Sequence, residues 1–226
     1  MNISLNFSSQ NLKSLQSFLD SFEIQKTNSK YELGRWKILE STAVLYSSGK
    51  LLIQGKNVEH VKELILSKIP LDDLLVLGID ETGRGENFGI MVVAGVLGKS
   101  KDLLELRDSK KTKDIEPKKK LVDKQAIHTY VKIFTPAEID RARTSGINLN
   151  QLEAQAMDEI IAQAQKTSLE FKIKIDGNPL PVESKNVQFI VKGDDKEPVI
   201  AAASVLAKFT RDISSNKEKR KTWKNS

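Results

Sequence analysis

The chain has no cysteine, which rules out disulfide cross-links, thiolate metal sites and a cysteine nucleophile. Histidine is nearly as scarce: His60 and His128 are the only two, too few for a histidine-rich metal cage. No apolar run approaches the roughly 18 residues of a membrane-spanning helix, and no basic stretch followed by an apolar one marks a secretory signal at the N-terminus. A cytoplasmic protein with no membrane partner is expected. What the chain has in quantity is charge of both signs. Lysine and arginine total 36 against 30 for aspartate and glutamate, giving a formal charge of +6 and a pI near 9.3. That balance favours a polyanionic partner such as nucleic acid. At 226 residues, with 39% hydrophobic and 29% charged content, the chain fits a soluble globular protein of one large domain or two modest ones.

Residues 1–70 read as a small α/β module. Ile3 to Phe7 alternates like a half-buried strand, and Leu12, Leu15, Phe18, Leu19 and Phe22 follow at helical spacing, with Ser8 and Ser9 as caps and an end near Ser21 to Glu23. Strands are predicted over Tyr31 to Leu39, Thr42 to Tyr46 and Leu51 to Gly55, with a hairpin turn at Ser47 to Lys50. Asn57 is placed to cap a second helix carrying Val58, Val61, Leu64 and Ile65. Arg35, Trp36, Lys37, Tyr46, Lys50 and Lys56 are candidates for an open sheet face suited to phosphate and stacked bases, with Trp36 and Tyr46 as core residues the competing reading. The segment Lys68 to Asp73, with Pro70, is the best domain boundary.

Residues 74–226 carry the chemistry. Two apolar runs, Leu74 to Leu77 and Ile90 to Leu97, flank Gly78 to Gly89, which reads as a glycine-rich loop opening with Asp80 and Glu81. Alone, that pair is as compatible with a charged hairpin turn as with ligands for a hard divalent cation. Gly95 to Ser100 resembles a phosphate loop only superficially, because the glycine required five positions before Gly98-Lys99-Ser100 is Val93. A strand at Thr129 to Phe134, a short helix from Pro136, and a long helix Asn148 to Gln165 lead to Phe171 to Ile175, which ends in Asp176-Gly177. Val187 to Val191 then runs into Gly193-Asp194, ahead of a helix Val199 to Thr210 whose Ala201, Ala202 and Ala203 permit close packing. Asp195 and Glu197 read as helix-dipole partners. Functional groups of α/β sheets collect at strand ends, so Asp80, Glu81, Asp176 and Asp194 form a candidate acidic set. If they converge, mutual repulsion calls for cations. Two Mg2+ or Mn2+ ions about 3.5–4 Å apart would activate water for phosphodiester hydrolysis.

Four ordered motifs resemble the type 2 ribonucleases H: Asp80-Glu81-Thr82-Gly83-Arg84-Gly85, Asp108-Ser109-Lys110-Lys111, Ile175-Asp176-Gly177, and Val191 to Asp194 with Ala201 to Lys208 and Thr210-Arg211-Asp212. The resemblance implies a mixed sheet flanked by helices in a catalytic domain over 74–226. It also implies metal-dependent cleavage of the RNA strand of RNA–DNA hybrids to 3′-hydroxyl and 5′-phosphate ends, an activity of DNA replication and repair. It makes Asp80, Glu81, Asp176 and Asp194 catalytic metal ligands and Gly83, Arg84 and Gly85 the readers of the ribose. Ser109 and Lys110 become contacts to the nucleic-acid backbone. Residues 1–70 resemble the TATA-binding-protein-like, hybrid-binding domain of ribonuclease HIII, most closely over Ala43 to Lys56. The protein is expected to act as a monomer.

The two halves point to different subfamilies, since Gly-Arg-Gly is typical of ribonuclease HII, which also cuts at single embedded ribonucleotides. Relative to the family the chain stops early, at Ser226 after a basic tail Lys217 to Lys224, and lacks the junction-reading tyrosine. A hybrid-binding protein inactivated by that loss, or a DNA nuclease of the same fold, are the competing expectations.

Overall fold

The computed structural model describes residues 2–7, 11–69, 73–106 and 115–223. Contacts divide the chain into two compact units, Met1–Asp73 and Leu74–Ser226.

The first unit is an antiparallel sheet of β1 (Asn2–Asn6), β2 (Glu23–Ile24), β3 (Glu32–Ile38), β4 (Ser41–Tyr46) and β5 (Lys50–Gly55), in the order β1-β5-β4-β3-β2. Two helices, α1 (Leu12–Leu19) and α2 (Val58–Lys68), complete it. The pleat alternates side chains between faces. Ile3, Leu5, Leu51, Ile53, Ala43, Leu45, Trp36 and Ile38 share one face by register and are buried. Leu15, Leu19, Val61 and Ile65 supply the helical side of the core. Trp36 is 1% exposed and donates its indole N–H to Asp20, at the end of α1, over 3.0 Å. It belongs to the core and not with Arg35, Lys37 and Lys50, which the same alternation puts on the opposite face. Lys56 lies beyond the strand and pairs with Glu40 at 3.8 Å. The expected caps Ser8 and Ser9 lie outside the described residues, and α1 ends at Leu19, before the expected Ser21. Asn57 precedes α2 in a left-handed conformation without a side-chain capping bond, so it turns the chain instead of capping it.

The second unit is a mixed sheet covered by helices on both faces. Its strands are β6 (Leu75–Thr82), β7 (Met91–Lys99), β8 (His128–Phe134), β9 (Phe171–Asp176) and β10 (Val187–Ile190), in the order β10-β9-β6-β7-β8. β7 pairs antiparallel with β6 and β8, while β9 lies parallel to β6 and β10. Helix α3 (Glu116–Gln125) contributes Val122 to the core on the side of α6 (Pro198–Asp212), together with Val76, Val92, Ala94 and the alanines of α6. On the other side α4 (Pro136–Thr144) and α5 (Leu149–Gln165) bury Ile139, Met157, Ile160 and Ile161 against Leu77, Ile79, Met91 and Val93. Both of these helices start with capping boxes, Thr135 with Glu138 and Asn148 with Gln151.

Two glycines set how closely the helices approach. A Cβ on Gly78 would lie 2.5 Å from the Val199 backbone, and one on Gly95 would lie 2.6 Å from Ile160. α6 therefore runs hard against β6, and α5 against β7. Gly98-Lys99-Ser100 forms no phosphate cradle: Lys99 ends β7, and Ser100 opens a short 3-10 turn. Among the described residues no helix is long and apolar enough to cross a membrane.

Candidate active site

Asp80 and Glu81 are inside strand β6, not in a loop after it. The strand continues to Thr82 because Asp80, Glu81 and Thr82 stay in register with Ala94, Val93 and Val92 of β7. β9 matches β6 only as far as Ile175 beside Ile79, and one further step puts its last residue, Asp176, next to Asp80. Gly78 faces α6, so Asp80, two residues on, faces it too and accepts a hydrogen bond from the Ser204 hydroxyl. Carboxylate oxygens of Asp80, Glu81 and Asp176 all lie within 4.8 Å of one another.

Burial raises the pKa values of Asp80 and Glu81. Asp80 is 4% exposed, and loss of solvent, then the Glu81 charge, hold its carboxyl well above the usual range, with Asp176 adding to the rise. Glu81 is raised by the same desolvation and by Asp176, against a smaller lowering by Arg84. Such a cluster favours protons or a cation over three free negative charges. The hard oxygen donors suit Mg2+ or Mn2+.

Asp176 is oriented from its own side. Its Oδ1 accepts the Gly193 amide N–H over 2.5 Å, where a Cβ on residue 193 would lie 2.7 Å from Ile200 and 3.2 Å from that carboxylate oxygen. Asp194 follows directly and is buried at 3% exposure, yet its oxygens do not fall inside the 4.8 Å group. The fold brings three of the four expected carboxylates together and holds the fourth one residue from the amide that grips Asp176. Glu197 is the residue before α6 but makes no capping bond; it pairs with Lys174 and accepts the Ser100 hydroxyl over 2.5 Å. Ser109 and Lys110 lie outside the described residues.

The two glycines of Gly83-Arg84-Gly85 differ in what requires them. Gly83 has φ +82°, and a Cβ there would meet the Ile90 carbonyl oxygen at 2.4 Å and Arg211 at 2.8 Å. Its own protein demands a glycine. A Cβ on Gly85 would have nothing within 4 Å, so the space above it is open to a ligand.

Arg84 lies between them with its guanidinium on α5, donating to Asn150 and paired with Glu153 at 3.3 Å. Glu153 was not anticipated. It is 2% exposed, and desolvation, then the Glu81 charge, push its carboxyl up to about 7. Its signal was present as an acid among Leu149, Leu152, Ala156 and Ile160, on what is otherwise an apolar helix face. Arg220 was also missed. The run Lys217 to Lys224 reads as a solvated basic tail, but Arg220 is 3% exposed and bonded to the carbonyls of Gly83, Arg84 and Gly89. Composition carries no trace of that, because it depends on where the chain returns.

Residues 77–225 match the family Ribonuclease HII. Ribonuclease HII of Francisella tularensis subsp. mediasiatica (strain FSC147) is 40% identical over 141 residues, covering 62% of this chain and 72% of the relative. Among solved structures, Bst-RNase HIII in complex with Mn2+ superposes with a TM-score of 0.58 at 20% identity, covering 93% of this chain and 80% of its own. RNase H3 of Aquifex aeolicus gives 0.52 at 24% identity, covering 92% and 83%. These two likenesses establish the fold across both units.

Proposed function

The chain belongs to the ribonuclease HII family and is an endoribonuclease, and from that premise we propose that it hydrolyses the RNA strand of RNA–DNA hybrids, leaving 3′-hydroxyl and 5′-phosphate ends. The observation that carries this reading is the convergence of Asp80, Glu81 and Asp176 at the ends of two adjacent parallel strands. Asp80, Glu81 and Asp176 would hold Mg2+ or Mn2+, with the buried Asp194 beside them as the fourth acidic group of the set. Bound there, a pair of such cations would neutralise the carboxylates and supply an activated water at neutral pH.

The chain's own contribution is to fix the donors. Ser204 holds Asp80, the Gly193 amide holds Asp176, and α6 is seated tightly on Gly78, two residues before Asp80. Preorganised donors need no rearrangement when charge develops at the phosphate. Gly85, with open space where a side chain would stand, lets the backbone approach a ribose 2′-hydroxyl, the group that separates RNA from DNA.

The HIII-like layout is the favoured subfamily reading, because the fold likeness to HIII structures extends over both units. In that reading the first unit binds the hybrid through the face bearing Arg35, Lys37 and Lys50, and the protein works as a monomer. Cleavage at a single embedded ribonucleotide is the second reading, favoured by Arg84 between the two glycines. One assay separates them: with Mg2+ and with Mn2+, a long hybrid should be cut faster than a DNA duplex carrying one ribonucleotide. The reverse order would make the enzyme HII-like, and intact substrates under both metals would remove the nuclease reading.

A further inference from the structure

The segment after α6 folds back over the loop that joins β6 to β7. Gly89 N–H donates to the Glu218 carbonyl over 2.8 Å, Arg220 N–H donates to the Asn87 carbonyl over 2.8 Å, and Phe88 and Lys219 form an antiparallel bridge. Beyond it the segment is pinned to α4. The Asp140 carboxylate accepts the backbone N–H groups of Lys221 and Thr222 over 2.8 and 2.9 Å, and the Thr222 hydroxyl over 2.5 Å. Between these anchors the Arg220 side chain enters the protein under the loop.

Its guanidinium spans the loop's two ends. Nη2 donates to the Gly83 carbonyl over 2.7 Å and to the Gly89 carbonyl over 3.0 Å. Nε donates to Gly89 over 3.2 Å, and Nη1 to the Arg84 carbonyl over 3.3 Å. A buried cation is costly unless its donors are satisfied, and here backbone carbonyls satisfy them. The rigid fork of five donors suits this task, whereas a lysine ammonium would reach the same carbonyls only as a point charge. The other side chains that contact the loop do so elsewhere: Arg211 pairs with Glu86 and donates Nε to the Ile90 carbonyl over 3.4 Å, and Glu153 pairs with Arg84. Arg220 alone among these grips the backbone at residues 83, 84 and 89.

We propose that Arg220 is the positioning residue of the Gly83–Gly85 backbone, so that the C-terminal segment, and not the carboxylate centre, sets how well the loop receives the ribose. The proposal rests on the reading that this loop faces the hybrid. Arg220 touches no reacting atom in this scheme; it closes the loop into the shape the substrate meets.

The test compares wild-type protein with Arg220→Ala and Arg220→Lys, all as full chains with folding checked by thermal melting. Hybrid affinity is measured by fluorescence anisotropy in Ca2+, and Mn2+ affinity by calorimetry. Removing the fork should weaken hybrid binding by about tenfold, the equivalent of roughly 1.4 kcal/mol, and raise KM with little change in kcat. Mn2+ affinity should stay at the wild-type value. Millimolar guanidinium ion should restore part of the lost affinity in Arg220→Ala and none in Arg220→Lys. A folded Arg220→Ala that binds hybrid as wild type does would overturn the proposal, as would a loss of Mn2+ affinity equal to the loss of hybrid affinity. If Arg220→Ala does not fold, Asp140→Ala decides, since it releases the segment's anchor while leaving the fork in place; the same KM-selective loss, smaller in size, is expected, and wild-type KM would sink the idea. Wild-type protein that cuts no hybrid would remove the functional reading instead, and the anisotropy comparison would still stand.

Discussion

In the first unit the helices take one face of an antiparallel sheet, and Arg35, Lys37 and Lys50 come out on the other. In the second unit helices cover both faces of a mixed sheet, and acidic groups emerge only at the ends of β6 and β9. Both arrangements follow from the same pleat. A sheet buried on one side spreads polar side chains across a surface suited to a long charged partner. A sheet covered on both sides here leaves its acidic groups only where strands stop, and there it concentrates them. The first geometry suits holding, and the second suits chemistry on one bond.

The sharpest way to break that contrast is to neutralise one carboxylate. Asp80→Asn should lower kcat on hybrid by on the order of a thousandfold while hybrid affinity changes little; retained turnover in a single-turnover assay would separate the acidic cluster from catalysis. Deleting residues 1–70 should do the opposite, raising KM by about tenfold with kcat preserved. Lys37→Glu with Lys50→Glu in the full chain should flatten the salt dependence of binding. An unchanged slope in anisotropy titrations at several ionic strengths would reduce the first unit to a scaffold.

Smaller effects concern pH and metal. The raised carboxyls of Asp80 and Glu81 bind protons more tightly in the folded state than in the unfolded one. Their contribution to stability is therefore full in acid and is lost as pH rises through their elevated range. Metal-free protein should lose several degrees of Tm as pH rises above the ordinary carboxylate range, and millimolar Mg2+ or Mn2+ should restore it, more at the higher pH than at the lower. Equal shifts at both pH values, read by calorimetric melting, would argue against cation binding at these carboxylates.

Glu153 gives the smallest effect. Its carboxyl rises from 4.5 to about 7 with the Arg84 charge already acting against the rise, a net cost on the order of 3 kcal/mol once it is ionised, of which a glutamine, still polar and buried, recovers only part. Glu153→Gln should thus be more stable than wild type by about 1 kcal/mol, or 2–4 °C, at pH 8, and indistinguishable near pH 4.5. KM should rise slightly as Arg84 loosens. A variant less stable at pH 8 would mean that the ion pair outweighs the burial.

The elements were largely legible in the chain, because hydrophobic period, capping residues and glycines act locally. The strands over Glu32–Ile38 and Ser41–Tyr46, the capped helix Leu149–Gln165 and the alanine-rich helix were all readable from spacing. Boundaries were less so: Asp80 and Glu81 read as loop residues because their charge opposes strand propensity, and pairing with β7 overrode it. Trp36 was ambiguous between stacking platform and core, since an aromatic on a half-covered sheet fits either face until register decides. Glu153 left a legible signal and Arg220 none.

By itself the sequence determined the chemistry available: no thiol, almost no imidazole, acidic residues at predicted strand ends, glycines beside one of them, and a basic balance overall. Those are properties of residue type and local period. Only the tertiary structure decided that Asp80, Glu81 and Asp176 meet while Asp194 stays just outside, that Glu153 holds Arg84, and that Arg220 closes the loop at residues 83 and 89. Each of these joins positions far apart in the chain. Such meetings are set by strand order and by how closely helices seat on glycines, which no single stretch of sequence contains.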